Sequence, residues 1–304
     1  MENKTAAKSN LSIEILAKQV VEGFITGLHK SPFHGFSVEF AEHRHYNQGE
    51  STKHVDWKLF GRTEKLFTKK YDEGTNLRCQ IVIDCSSSMY FKTERTSSKI
   101  EYAILAAASL IELLKKQRDG IGLTFISSKI ELHTAAKSSM QHQQYLFNEL
   151  EKKRQPFDKK AESNLTNLAY CIHEIAELSH RRSLVFIFTD LLDDPSKTNT
   201  LIESLNHLKH NKHEVVLFNV MDKNLELDFN FSNQPLHLID MESGEELKLS
   251  PASFKEKYTT EINAFYEKIA LSCSQYKIDF VSIDTNEPLI PVLQKYLIKR
   301  KKMA

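Results

Sequence analysis

Between Leu77 and Ile283 the chain alternates short apolar runs with amphipathic stretches of helix length, and few folds accommodate that alternation. The run Ser183-Leu-Val-Phe-Ile-Phe-Thr189 is the most apolar of them. A continuous apolar run of this length marks a strand buried on both faces, as in parallel sheets. Arg78 to Asp84, Ile121 to Ile126, Glu214 to Val220 and Ile278 to Ile283 read as further strands. Ser98 to Lys116 reads as a helix with Ile100, Ile104, Leu105, Ala108, Ile111 and Leu114 on one side. Ser139 to Lys153, Thr166 to His180, Pro195 to Lys209, Pro251 to Cys273 and Pro288 to Lys301 predict the other helices. Lys129 to Thr134, following Ser127-Ser128, predicts an antiparallel edge strand, and the polar stretch Leu225 to Leu249 an edge hairpin or excursion. Strands and helices in this order imply an α/β fold, a mostly parallel sheet with helices on both faces. Ligands of such sheets lie beyond the carboxyl ends of the strands. The residues that follow Ile83 and Thr189 are both aspartates, Asp84 and Asp190.

The chain before Leu77 has a different texture. Residues 1–30 read as a polar tail and an amphipathic helix, with Leu11, Ile15, Leu16, Val20, Phe24 and Leu28 three or four apart. Residues 31–76 are aromatic, charged and dense in His, Arg and Tyr and read as a strand and loop extension, and residues 77–304 carry the regular pattern. Lys plus Arg (41) nearly balances Asp plus Glu (40), so no global field marks a nucleic-acid binder. The basic end Lys299-Arg300-Lys301-Lys302 reads as a solvated helix terminus, where cations are favoured. Cys79, Cys85, Cys171 and Cys273 are far apart, which argues against a zinc knuckle or a disulfide framework. No apolar run approaches the length of a membrane span and Met1 to Asn10 lacks a signal-peptide core, so a cytoplasmic protein is the expectation.

Asp84-Cys-Ser86-Ser-Ser88 directly follows the first strand of the regular region. A loop alternating Asp, Ser and Ser aims three oxygens at one point, and hard cations such as Mg²⁺ take about six oxygen ligands. Two hydroxyls bound directly, with carboxylates held through water, leave such an ion partly uncompensated and able to attract an outside carboxylate. Thr166, opening a helix after a polar loop, and Asp190, ending the apolar strand, follow in order. The alternative is purely structural, with Ser86 capping a helix and Asp190 ending a strand or capping the next helix.

The set Asp84, Ser86, Ser88, Thr166 and Asp190 resembles the metal-ion-dependent adhesion site of von Willebrand factor A domains. The resemblance implies a von Willebrand factor A-like, Rossmann-type fold and a site for Mg²⁺, or for Mn²⁺ or Ca²⁺. Ser86, Ser88 and Thr166 would offer hydroxyls, Asp84 and Asp190 would act directly or through water, and a partner's Asp or Glu would complete the shell. The sequence departs from the family in Ser163-Asn164-Leu165-Thr166, where a glycine is usual before the threonine. Asn tolerates left-handed backbone angles nearly as Gly does, but Leu165 is unexpected. Asp193 and Asp194 read as partners of the next helix dipole.

Upstream, the stretch Phe40 to Arg62, with Arg44, Tyr46, Gly49, His54, Asp56 and Trp57, resembles the signature of a bacterial family of unknown function, number fifty-eight in the domain-of-unknown-function series. Members couple this segment to an A-like domain whose metal loop reads Asp-x-Ser-x-Ser-Met, matching Asp84 to Met89. The resemblance implies a partner protein of MoxR-type AAA+ ATPases, acting in assembly or activation of other complexes. Arg44, Tyr46, Asp56, Trp57 and Arg62 are expected to form a buried polar network around one aromatic anchor, packing the segment on the sheet. Alternatively they form a docking surface, since Trp, Tyr and Arg dominate interface energetics. His43 and His45 lack the further ligands a second metal site needs.

Catalysis finds little support. Neither a Gly-x-Ser-x-Gly elbow nor a phosphate-binding Walker loop is present. Asp84 after a strand is similar to the nucleophile of an aspartyl phosphotransferase, but Ser86 stands where those enzymes carry a second aspartate. Cys85 has no evident His partner. The expectation is a non-enzymatic module that binds a partner carboxylate through a divalent metal; the alternatives are a metal-dependent hydrolase or phosphotransferase using Asp84, and a scaffold with a vestigial site.

Overall fold

The computed structural model describes residues 11–27, 40–45, 57–71, 77–91, 97–154, 167–192, 195–231, 234–239 and 245–294. Helix α1 (Ile13–Gly27) leads into strand β1 (Phe40–His45), the short helix α2 (Trp57–Thr63) and strand β2 (Phe67–Tyr71). The regular part follows as β3 (Arg78–Asp84), α3 (Lys99–Lys116), β4 (Gly120–Ile126), β5 (Ile130–His133), α4 (Met140–Lys153) and α5 (Leu168–Leu178). It continues with β6 (Leu184–Thr189), α6 (Thr198–His210), β7 (Glu214–Met221), β8 (Leu236–Ile239), β9 (Glu246–Leu249), α7 (Pro251–Gln275) and β10 (Asp279–Asp284). Residues 289–294 are helical again.

Six strands form the central sheet in the order β10-β7-β6-β3-β4-β5. All pair in parallel except β5, the antiparallel edge partner of β4. The period of two along each strand sorts its side chains between two cores. On β3, Cys79, Ile81 and Ile83 face one side and Val82 the other; on β6, Leu184, Phe186 and Phe188 oppose Val185 and Ile187. The first core is closed by α1, α3, α4 and the 289–294 helix, the second by α5, α6 and α7. This is the mostly parallel α/β sheet the alternation predicted, and it matches the von Willebrand factor A-like, Rossmann-type architecture that the resemblance implied.

Helix α3 starts with a capping box. Ser98 Oγ accepts from the Glu101 N–H at 3.3 Å, and Glu101 Oε2 accepts from the Ser98 N–H at 3.2 Å. It packs on the sheet, and α1 packs on it in turn, so α3 is buried on nearly every side. The chain ties α1 down at its start. The Ile13 N–H donates to Glu151 Oε2 at 2.8 Å, and Arg154 donates to the Leu11 carbonyl at 2.9 Å.

One helix start differs from the sequence reading. Helix α5 begins at Leu168, two residues past Thr166, because the Asn167 side chain accepts from the Tyr170 N–H at 3.3 Å and acts as its cap. The strand and loop extension expected before Leu77 contains a small antiparallel sheet of β1 and β2, with Arg44 opposite Thr68 and His45 opposite Phe67. These runs are too charged to alternate, and periodicity alone does not mark them as strands. The 236–249 hairpin matches the expectation of an edge excursion. Among the described residues, no helix is long and apolar enough to cross a membrane.

Gly122 shows how tightly β4 is set. A Cβ there would overlap the Gln80 side chain and the Thr134 carbonyl, while the Gln80 amide donates to Thr124 Oγ1 at 2.7 Å inside the sheet. Gly122→Ala is therefore expected to cost about 1–3 kcal/mol, as overpacked cores do. Urea unfolding measures it, and an unchanged midpoint would show that Gln80 and β5 give way freely.

Candidate metal centre

Strands β3 and β6 lie side by side in parallel, with Ile83 opposite Phe188. The register brings both strand ends, and so Asp84 and Asp190, to one edge of the sheet. Each carboxylate is almost wholly buried. Asp84 is held at both oxygens: Oδ1 accepts from the Ser86 N–H at 2.9 Å, and Oδ2 accepts from Thr189 Oγ1 at 2.7 Å. The Cys85 N–H donates to the Ile126 carbonyl at 2.7 Å and prolongs the β3–β4 pairing by one residue. The chain then turns into a single 3-10 turn, Ser87–Tyr90, pinned by the fully buried Met89.

That turn carries the two hydroxyls back toward the strand end. Ser86 Oγ and Ser88 Oγ stand 3.1 Å apart. Adjacent ligands of an octahedral ion with ~2.1 Å bonds are separated by about 3.0 Å, so the pair matches one edge of such a shell. The donors available at the site are hydroxyl and carboxylate oxygens, the hard set that Mg²⁺ takes. Among the described residues, no three His, Cys, Asp or Glu side chains converge as a metal-binding group. An ion here would rest on serine hydroxyls beside Asp84 and Asp190, and the residues present fit it. Thr166, Asp193 and Asp194 lie outside the described residues.

Asp190 begins a sharp turn. Leu191 holds a left-handed backbone (φ 58°) although it is a buried, branched residue. Such a conformation costs a leucine about 1–2 kcal/mol. It lets the Leu192 N–H reach Asp190 Oδ1 at 3.1 Å and the Leu191 N–H reach Thr189 Oγ1 at 3.1 Å. Strain of this kind persists where surrounding packing over-determines the backbone, and it clusters at functional sites.

The residue that the sequence reading missed is Lys99, the first residue of α3. Its side chain is 3% exposed, and its Nζ donates to Asp190 Oδ2 at 2.7 Å and to Glu226 Oε1 at 2.5 Å. Glu226 belongs to a π-helical turn, Lys223–Leu227, after β7, and its other oxygen accepts from the Asp222 N–H at 2.9 Å. One signal was present in the sequence: a lysine directly after a helix cap opposes the positive end of the helix dipole. Carboxylates facing it reverse that penalty. Nothing in the pattern around Glu226 marked it.

Electrostatics follow from burial. Desolvation, then the neighbouring Asp190, pushes the Asp84 carboxyl up to about 7, against the hydrogen bonds from Thr189 and Ser86 that hold it down. Burial opposes the charge on Lys99, but Asp190 and Glu226 outweigh it and its ammonium is held more firmly than an ordinary lysine's. Burial raises Glu226, with Lys99 working in the opposite direction. Burial also pushes the Cys85 thiol well up, and Cys85 Sγ sits 3.7 Å from the Ile83 carbonyl. A protonated, buried thiol is a poor nucleophile.

The upstream group departs from expectation. Trp57 is 61% exposed, with its ring edge-on to Phe60 at 6.1 Å, and Arg62 is exposed as well. Trp57 is therefore not the buried anchor of a polar network; it opens a seven-residue helix too short to bury a side of its own. Arg44 falls on β1 in register with Thr68; Tyr46 and Asp56 lie outside the described residues, as does the Arg44 side chain.

Comparison with known proteins yields three kinds of relative. Residues 42–266 match the model of a family described as "Protein of unknown function DUF58". An uncharacterized protein of Mycobacterium tuberculosis is 22% identical over 297 residues, spanning 96% of this chain and 89% of its own length, and one of Mycobacterium bovis matches to the same extent. The solved structure of a conserved hypothetical protein, BatB from Bacteroides thetaiotaomicron, superposes with a TM-score of 0.45 at 11% identity, over 75% of this chain and 100% of that one. The pilus adhesin SpaC from Lactobacillus rhamnosus GG gives 0.42 at 10% identity, over 76% and 30%.

The raised Asp84 has a definite sign in stability. The folded protein keeps this proton up to about pH 7, whereas an unfolded aspartate releases it near pH 4. Between those values the folded state binds more protons, so its stability falls as pH rises through that window. Urea unfolding in EDTA from about pH 5 to about pH 8 is expected to show this decline and to lose it in Asp84→Asn. An identical slope in that variant would assign the decline to other groups.

Proposed function

This chain belongs to the DUF58 family, and we propose that it is a non-enzymatic protein-interaction module that takes a partner's carboxylate onto a divalent metal ion. The observation that carries the reading is the paired hydroxyls of Ser86 and Ser88, 3.1 Å apart beside the buried Asp84 at a sheet strand's carboxyl end. Ser86 and Ser88 would hold the ion directly, Asp84 and Asp190 directly or through water, and Thr166 would add a further hydroxyl. Mg²⁺ suits this donor set, and Mn²⁺ and Ca²⁺ share its preference for oxygen. Bound there, the ion would supply a Lewis-acidic position for a carboxylate oxygen from outside.

The same geometry weighs against the catalytic alternatives. Both Asp84 oxygens are occupied by hydrogen bonds, from the Ser86 N–H and the Thr189 hydroxyl, which leaves neither free for attack on phosphorus. Cys85 is sealed beneath the loop. As partner we propose a MoxR-type AAA+ ATPase or a protein it acts on, from the family resemblance of the Phe40 to Arg62 segment and the Asp84 to Met89 loop. The exposed Trp57, with Phe60 beside it and Arg62 one turn on, supplies the residue types that anchor protein interfaces.

The test has two parts. Calorimetric titration with Mg²⁺ is expected to show one site in the wild-type protein and none in Asp84→Ala, whose fold persists by circular dichroism. Affinity purification is expected to retain a MoxR-type ATPase in Mg²⁺ and to lose it in EDTA; capture indifferent to both EDTA and Asp84→Ala would sink the proposal. Asp84-dependent turnover of phosphate esters would overturn its non-enzymatic half. Trp57→Ala should weaken partner capture by about 2 kcal/mol, as interface hot spots do, with Mg²⁺ affinity unchanged. Equal capture by this variant would remove the segment from the interface.

A further inference from the structure

Among the buried charges of this protein, Lys99 stands apart. It lies at the candidate centre, no ligand set requires it, and its position at the start of a helix is electrostatically unfavourable unless carboxylates answer it. Two do. The ammonium bridges Asp190 Oδ2 (2.7 Å) and Glu226 Oε1 (2.5 Å), and the three side chains are 3%, 2% and 14% exposed. Asp190 is also the second carboxylate of the candidate centre. Two cations sharing one buried carboxylate repel each other strongly, because little water screens them.

We infer that Lys99 is a tethered cation that competes with the divalent ion for Asp190, and that Glu226 is the carboxylate that receives its ammonium when the ion enters. The inference rests on the metal reading of the preceding subsection. Lysine suits this role as a compact point charge on a flexible stem, with three donors that can be redistributed without moving the backbone. Glu226 is built to stay in place. Its Oε2 accepts from the Asp222 N–H at 2.9 Å, and its carbonyl accepts from the Tyr258 hydroxyl at 2.7 Å. Asp222 itself is fixed by the Leu225 N–H at 3.2 Å and by the Asn286 amide at 3.0 Å. The π-helical turn that presents Glu226 is a rare element found frequently at functional sites. In the metal-free protein Lys99 keeps Asp190 neutralised and the strand end intact. The site thus binds a divalent ion more weakly than its own oxygens allow.

A purely structural ion pair would not change ion affinity in the pattern that competition requires. Mn²⁺ titration of the full chain, read by calorimetry and by electron paramagnetic resonance, separates the two. Lys99→Met is expected to bind Mn²⁺ at least tenfold more tightly than wild type, and Glu226→Gln about tenfold more weakly, since its ammonium then has Asp190 as its sole carboxylate. The double variant should bind like Lys99→Met, because Glu226 no longer matters once the lysine is gone. If Lys99→Met does not fold without metal, Glu226→Gln decides by its opposite sign. Wild-type binding with Lys99→Met no tighter, or Glu226→Gln no weaker, overturns the inference while leaving the metal reading intact. Absence of binding in all of these proteins overturns both. Binding in Lys99→Met alone supports the inference in its strongest form.

Discussion

Asp84 and Asp190 are buried side by side at one end of the sheet, and Asp190 shares a single ammonium group with the largely buried Glu226. Burying one carboxylate is costly, and burying several side by side is possible only if they are protonated, hydrogen-bonded or paired. This protein uses all three remedies. Asp84 holds its proton to about pH 7 and accepts two hydrogen bonds, while Asp190 and Glu226 share Lys99. Removing the lysine would strand two buried charges, a loss that typically costs about 3–5 kcal/mol where a buried pair is broken.

The parallel pairing of β3 with β6 makes this concentration possible. Adjacent parallel strands end on the same side, so a carboxylate placed last on each meets its neighbour without any loop to guide it. The Thr189 hydroxyl then works twice, donating to Asp84 and accepting from the Leu191 N–H, and so joins the two strand ends. Leu191 closes the turn at the expense of a left-handed backbone. Such a site is rigid in its oxygens and adjustable in its one long side chain.

Much of this was legible in the sequence, and the failures have physical causes. The strand ends at Asp84 and Asp190 stood out because both follow apolar runs, which locate buried strands dependably. Helix α5 begins past Thr166, since the choice of cap between Thr166 and Asn167 depends on local turn geometry. Trp57 reads as a core residue by type, but aromatic residues are not obliged to be inside, and a seven-residue helix gives it nothing to pack beneath. Glu226 was invisible, because a π-helical turn has no periodic signature. Lys99 was visible only as an anomaly, a cation at the wrong end of a helix, and its resolution needed two carboxylates 91 and 127 residues away.

The family match begins at residue 42, downstream of α1, yet Ile13, Ala17 and Val21 are as deeply set in the first core as any strand residue. The outer layer of that core thus comes from chain upstream of the family match. A fragment cut at the family boundary would expose one side of α3, a helix whose Ala106, Ala107 and Ala108 are wholly buried and have no polar atoms to offer water. Loss of α1 should favour self-association through the bared side of α3.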